Sequence, residues 1–113
     1  MIMKAYTDLE QSKKLAEILP FESADMHYVL TDSDQETYSP GLGKYYGVLP
    51  SIPCWSLAAL LGVIPKPDLI QNSEEIWLVH SWVNAYPWSV GGYSNPIDAC
   101  VAMIEKLHKL KML

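Results

Sequence analysis

Two sets of side chains in this chain have the types and spacing for covalent or metal chemistry. The first is Cys54 with His80. Proline suits a first helical turn, so Pro53 predicts a helix starting beside Cys54, and a thiol at a helix N-terminus has its thiolate favoured by the helix dipole. His80, on a downstream strand, is the residue type that would serve as its base, which is the layout of a cysteine-dependent hydrolase or thiol enzyme. The plain alternative is a small buried hydrophobe. Cys54 lies among Ile52, Trp55 and Leu57, and no oxyanion donor or orienting Asn or Asp stands out beyond His80. The second set is Asp25 with His27, two residues apart on one strand face, which could donate two metal ligands with His80 as a third. No Cys-x-x-Cys or His-Glu-x-x-His spacing fixes their convergence, so histidines that are merely hydrogen-bonded or solvated are the competing account. The acids Glu22, Asp25, Asp32, Asp34 and Glu36 could supply a carboxylate pair for acid–base work on a glycan, but they read more plainly as a solvated turn region, without the ligand spacing of a calcium loop. The sequence therefore assigns no catalytic residue, no metal and no cofactor beyond these weak candidates.

Binding chemistry has a different signal. Trp55, Trp77, Trp82 and Trp88 fall in one stretch, accompanied by Tyr45, Tyr46, Tyr86 and Tyr93, more aromatic area than a core of this size needs. The expected contact residues are Tyr45, Tyr46, Trp82, Tyr86 and Trp88. They would form an aromatic face for a protein partner or for a second copy of the chain. A cleft flanked by Trp82, Trp88 and Tyr86 would instead favour a small ligand, and tryptophans packed under helices would favour neither.

These side chains must be positioned by local elements. Thr7-Asp8-Leu9-Glu10 is a capping-box pattern and predicts a helix over 7–19, closed by Pro20. Alternation from Asp25 to Thr31 predicts a half-buried strand, with Asp32-Ser33-Asp34 as its turn and a return strand through Gln35 to Tyr38. Pro40, Gly41, Gly43 and Gly47 mark the following segment as mostly loop. A helix over 53–61, capped by Gly62, is apolar nearly all round and should be the most buried helix; Pro65-Lys66-Pro67-Asp68 then leads out as a linker. Ile76 to Val83 predicts an interior strand, turned at Asn84-Ala85 and paired with a strand through about Trp88 to Gly92, with Pro87 at an edge or bulge. Asn95 as N-cap, Pro96 in the first turn and Asp98 near the dipole predict a helix over 96–111 with Ile97, Cys100, Val101, Ile104 and Leu107 inward.

Together these predict one domain over 1–113. It is α+β, with a small antiparallel sheet made from a strand or hairpin near 25–38 and a hairpin near 75–92, packed by three helices. The chain has 113 residues and a formal charge of −5, and all eight of its basic residues are lysines. An acidic chain without arginine disfavours nucleic acid, because guanidinium groups supply the bidentate contacts to bases and phosphates. Lys106, His108, Lys109 and Lys111 read instead as the basic end of the last helix, complementing its free carbonyls. No apolar run spans a bilayer and no secretion signal opens the sequence, so the expectation is a cytoplasmic protein with thiols at Cys54 and Cys100 and no membrane contact.

Four stretches carry a resemblance: 4–20, Glu22-Ser23-Ala24-Asp25-Met26, 53–61 and Asn95-Pro96-Ile97-Asp98-Ala99-Cys100. On these the chain resembles a group of short proteins of gut Bacteroides and relatives, associated with prophages or mobile elements. That group has no activity to transfer, so the resemblance implies a context and no site residue. Function is expected to be that of a small non-enzymatic interaction protein.

Overall fold

A computed structural model describes residues 4–32, 37–43, 51–83 and 86–113, and the side chains of these except 30–32 and 37–39. The chain is α+β, and its strands divide into two antiparallel three-stranded sheets. In order the elements are α1 (Leu9–Ala16), a 3-10 turn (Phe21–Ser23), β1 (Met26–Asp32), β2 (Thr37–Leu42), β3 (Ser51–Cys54), α2 (Leu57–Val63), β4 (Asp68–Gln71), β5 (Trp77–Val83), β6 (Tyr86–Tyr93) and α3 (Pro96–Lys109).

The first sheet has the order β2-β1-β3. Tyr28 pairs with Pro40 on one side and with Ile52 on the other. The return strand forms, and it continues through Pro40 to Leu42 because β2 is an edge, where a missing N–H costs no ladder bond. The same edge logic corrects the reading of Pro53. It sits in β3 opposite His27, so the predicted helix over 53–61 starts later. Ser56 is the N-cap of α2, accepting from the Ala59 amide at 3.3 Å. Cys54 is therefore a strand residue and gains nothing from a helix dipole.

α2 is not the most buried helix, since only Leu60 in it is fully enclosed. Gly62 is exposed inside it, and Ile64 rather than Gly62 forms the C-cap. In α1 the capping box is built one residue later than expected, by Asp8 and Gln11. The Gln11 amide donates to Asp8 at 2.8 Å and the Asp8 amide to the Gln11 side chain at 3.1 Å. Thr7 is unavailable as a cap because its hydroxyl accepts from the Trp55 amide at 3.1 Å.

The second sheet has the order β4-β5-β6. β4 occupies what reads in the sequence as the end of a linker. Its hairpin to β5 closes on Asn72, whose side-chain oxygen accepts from the amides of Glu74 at 2.9 Å and Ile76 at 3.0 Å, while Glu75 takes φ 61°. Such an Asx turn, signalled by Asn72-Ser73, supplies the local bonds that start the second strand. β6 begins at Tyr86 and ends at Tyr93, and the predicted turn residues Asn84 and Ala85 lie outside the described residues.

α3 starts as the sequence predicts, with the Asp98 amide donating to Asn95 at 2.8 Å and Pro96 in the first turn. It packs on β5, β6 and α2. Ile97, Cys100, Val101, Ile104 and Leu107 are buried, joined by Ala99 and Met103. Together with Val79, Trp55, Leu60, Ile64, Leu15 and Leu19 they form the core. The helix ends in a Schellman motif: the Met112 amide reaches the Leu107 carbonyl at 2.8 Å and the Lys111 amide the His108 carbonyl at 2.9 Å. Lys111 stands at φ 60° where glycine is the usual residue.

Candidate functional site

The outer face and end of the second sheet hold the exposed aromatics. Register places Ser81 opposite Trp88, Trp82 opposite Pro87 and Val83 opposite Tyr86. Val79 and Ser81 are buried, so His80 and Trp82, alternating with them, point to the opposite side. Trp82 is 43% exposed and Tyr86 71%. Trp88 faces inward instead, half-buried against the core with the Lys106 ammonium 5.8 Å from its ring centre. Trp82 and Trp88 lie on opposite faces, so no cleft is flanked by Trp82, Trp88 and Tyr86. Tyr45 and Tyr46 lie outside the described residues.

The remaining tryptophans are structural. Trp55 is fully buried and its indole N–H donates to the Ser23 hydroxyl at 2.9 Å, while Trp77 packs against the core. The Nε1 of Trp88 is buried and has no hydrogen-bond partner among the described residues. Lys106 serves this region as well as the dipole of its own helix. Its ammonium donates to the Ser89 carbonyl at 3.0 Å on the free edge of β6.

Cys54 and His80 are not brought together. Cys54 is fully buried in the first sheet, with its sulfur 3.6 Å from the Thr7 hydroxyl and 3.5 Å from the Thr7 carbonyl. The Thr7 hydroxyl is also 2.7 Å from that of Ser12, and the Tyr28 phenol donates to the Thr7 carbonyl at 2.8 Å. Burial pushes the Cys54 thiol up, outweighing the hydroxyls of Thr7 and Ser12 that favour the thiolate. A protonated, enclosed thiol is a packing group in this arrangement. Tyr28 is raised too, by burial first and then by neighbouring Cys54 and Tyr6.

Asp25 and His27 are each occupied by local structure. The Asp25 carboxylate accepts from the Ser56 amide at 2.9 Å and from the Ser56 hydroxyl, tying the start of β1 to the cap of α2. The His27 Nδ1 lies 2.6 Å from the Gly43 carbonyl, and its ring covers Gly41, where a Cβ would come within 2.7 Å of Nε2. Among the described residues, no group of three or more His, Cys, Asp or Glu is placed to hold a metal ion.

One polar cluster escapes the sequence reading. Lys4 donates to Asp98 at 2.8 Å and to Asp8 at 3.0 Å, and Gln11 donates to the same Asp98 oxygen at 2.7 Å. Burial by itself would raise the Asp98 carboxyl, but hydrogen bonds from Lys4, Gln11 and Asn95 hold it below the ordinary value. Lys4, which burial alone would lower, is raised by Asp98 and Asp8. A cavity of about 400 Å³ opens beside them, and a second of about 440 Å³ shares Lys14 and Glu105 with it, so a groove runs between α1 and α3. Lys4 and Asp98 are separated by nearly the whole sequence, and no local pattern announces the pair.

Comparison with family models, with curated proteins and with solved structures finds no match to this chain. No helix among the described residues is long and apolar enough to cross a membrane.

Proposed function

We propose that the protein is a non-enzymatic interaction protein that engages its partner through the outer face and end of the second sheet. The observation that carries this is the unequal treatment of aromatics. Trp55 is enclosed, Trp77 and Trp88 lean on the core, and Trp82 and Tyr86 remain exposed on adjacent strands of one hairpin. Desolvating exposed aromatics yields a large contact energy at small entropic cost, which is why such residues anchor interfaces. The enclosed Cys54 and its separation from His80 give hydrolytic chemistry no comparable support.

The test compares the intact protein with a Trp82→Ala/Tyr86→Ala double variant as immobilised baits, alongside sedimentation of both. A partner or self-association lost only in the double variant supports the reading. Capture and sedimentation identical for the two proteins would overturn it.

A further inference from the structure

We infer that residues 4–7 form a strap that lifts from the first sheet as a local unit while the rest of the fold stays closed, with Lys4 as its clasp and Cys54 beneath it. The strap lies along the end of β3. The Thr7 amide donates to the Trp55 carbonyl at 2.9 Å, the Trp55 amide donates back to the Thr7 hydroxyl at 3.1 Å, and Tyr6 bridges to Ser56. The Cys54 sulfur lies directly against it, 3.6 Å from the Thr7 hydroxyl and 3.5 Å from the Thr7 carbonyl.

The attachment is polar and shallow. Of residues 4–7 only Thr7 is buried, whereas Ala5 is exposed and Lys4 and Tyr6 are half-buried. Tyr6 meets Tyr28 edge-on with ring centres 6.2 Å apart. Lys4 reaches across to α3, pairing with Asp98 at 2.8 Å and with Asp8 at 3.0 Å, and the side chains of Lys4, Asp8 and Asp98 are 34%, 47% and 30% exposed. Ion pairs this wet close weakly and are screened by salt. Lifting the strap therefore exposes little apolar area and exchanges a few hydrogen bonds for bonds to water, so it opens well below the free energy of global unfolding. The capping box of Asp8 and Gln11 fixes the far end of the strap, so α1 stays in place.

The two cysteines make the strap visible. Cys54 and Cys100 are equally enclosed, each at 0% exposure, but their covers differ. Cys100 belongs to the core side of α3, and burial alone pushes its thiol up to about 12. Reaching it means taking α3 off β5, β6 and α2, which dissolves the core. Reaching Cys54 means lifting four residues. The strap also has a built-in block to closing: a group added to the Cys54 sulfur takes the space that Thr7 fills, so a modified Cys54 holds the strap open.

The experiment labels the folded full chain with iodoacetamide, a small uncharged reagent from which a thiolate displaces iodide to form a C–S bond. Cys54 and Cys100 are read separately by peptide mass spectrometry, each against its rate in the urea-unfolded chain. Cys54 is expected to react at least about tenfold faster than Cys100. Its rate should stay nearly flat in urea below the unfolding transition, because little surface is exposed, while that of Cys100 climbs steeply. Added sodium chloride, and separately Lys4→Ala with native amide dispersion, should each raise the Cys54 rate alone by about two- to fivefold. Hydrogen exchange of the Thr7 and Trp55 amides should report the same opening without the reagent, faster than the amides of α3 and faster still once Cys54 is alkylated. One rate and one urea dependence for both thiols would show that Cys54 opens only with the whole fold and would overturn the strap. A Cys54 rate unmoved by salt and by Lys4→Ala would overturn the clasp, and a Thr7 amide still protected after alkylation would overturn the block to closing.

Discussion

The two sheets have the same number of strands and the same antiparallel pairing, yet they are held by different physics. The first is fastened by polar groups in its interior. Thr7 and Ser12 are fully buried beside Cys54, and Thr7 receives bonds from the Trp55 amide and the Tyr28 phenol. The second is held on its inner face by apolar contact with α3, through Val79, Val90 and the buried face of the helix. Its buried Ser81 hydroxyl donates to the Pro65 carbonyl at 2.6 Å. Apolar burial supplies free energy without direction, whereas a buried hydroxyl tolerates few arrangements and so specifies position. The first sheet uses its polar interior to hold the N-terminal segment in place, and the second leaves its outer face open.

This contrast can be broken from its strong end. Leu107→Ala removes a fully buried side chain of α3 and should cost about 2–5 kcal/mol in chemical denaturation. A smaller loss would mean that α3 is not the main clamp on the second sheet. Next comes Thr7→Val, which keeps the volume of Thr7 and deletes its hydroxyl. The Trp55 amide then loses its acceptor, and about 1–3 kcal/mol should disappear in the same measurement. A neutral result would show that the polar interior of the first sheet is dispensable.

Asp98→Asn probes the tie between the N-terminal segment and α3. The Asp98 carboxyl titrates below its ordinary value in the folded chain, so its contribution is present above the unfolded value and fades as pH falls through the folded one. Because the pair is partly exposed, the loss near neutral pH should stay under about 1 kcal/mol. Unfolding curves recorded across the acid range should show the variant with a flatter pH dependence than the parent.

Lys111→Gly should act in the other direction. It relieves a left-handed lysine at the end of α3 and should raise stability by about 0.5–1 kcal/mol, visible as a higher melting temperature. The smallest effect belongs to Trp82→Ala, which should change stability by no more than about 0.5 kcal/mol while abolishing partner capture. A large destabilisation there would turn the open face of the second sheet into core.

Local chemistry was legible wherever neighbouring residues supply it. Asn95, Pro96 and Asp98 place the start of α3, and the spacing of Ile97, Cys100, Val101, Ile104 and Leu107 marks its inward side. The alternation from Met26 and the β-branched, aromatic run ending at Val83 place two strands. Sequence and structure part where a local signal has two meanings. Pro53 suits a helix start and an edge strand equally, and only the free side of β1 decides for the strand. Thr7 and Asp8 could each cap α1, and the buried Trp55 amide claims Thr7. β4 is not legible in the sequence because a four-residue edge strand has too little periodicity to show, although Asn72-Ser73 beside it is a turn signal.

What the sequence determined by itself is the identity of the elements whose partners lie within a few residues: the capped helix α3, the central strands and the excess of aromatic surface. Tertiary structure alone decided which aromatics are surface. The spacing of Trp82 and Trp88 does not say that one side of β5 and β6 would be covered by α3 and the other left bare. It also decided that Lys4 meets Asp98 and that Cys54 is enclosed away from His80. Those outcomes depend on contacts between residues far apart in the chain, which periodicity and capping cannot encode.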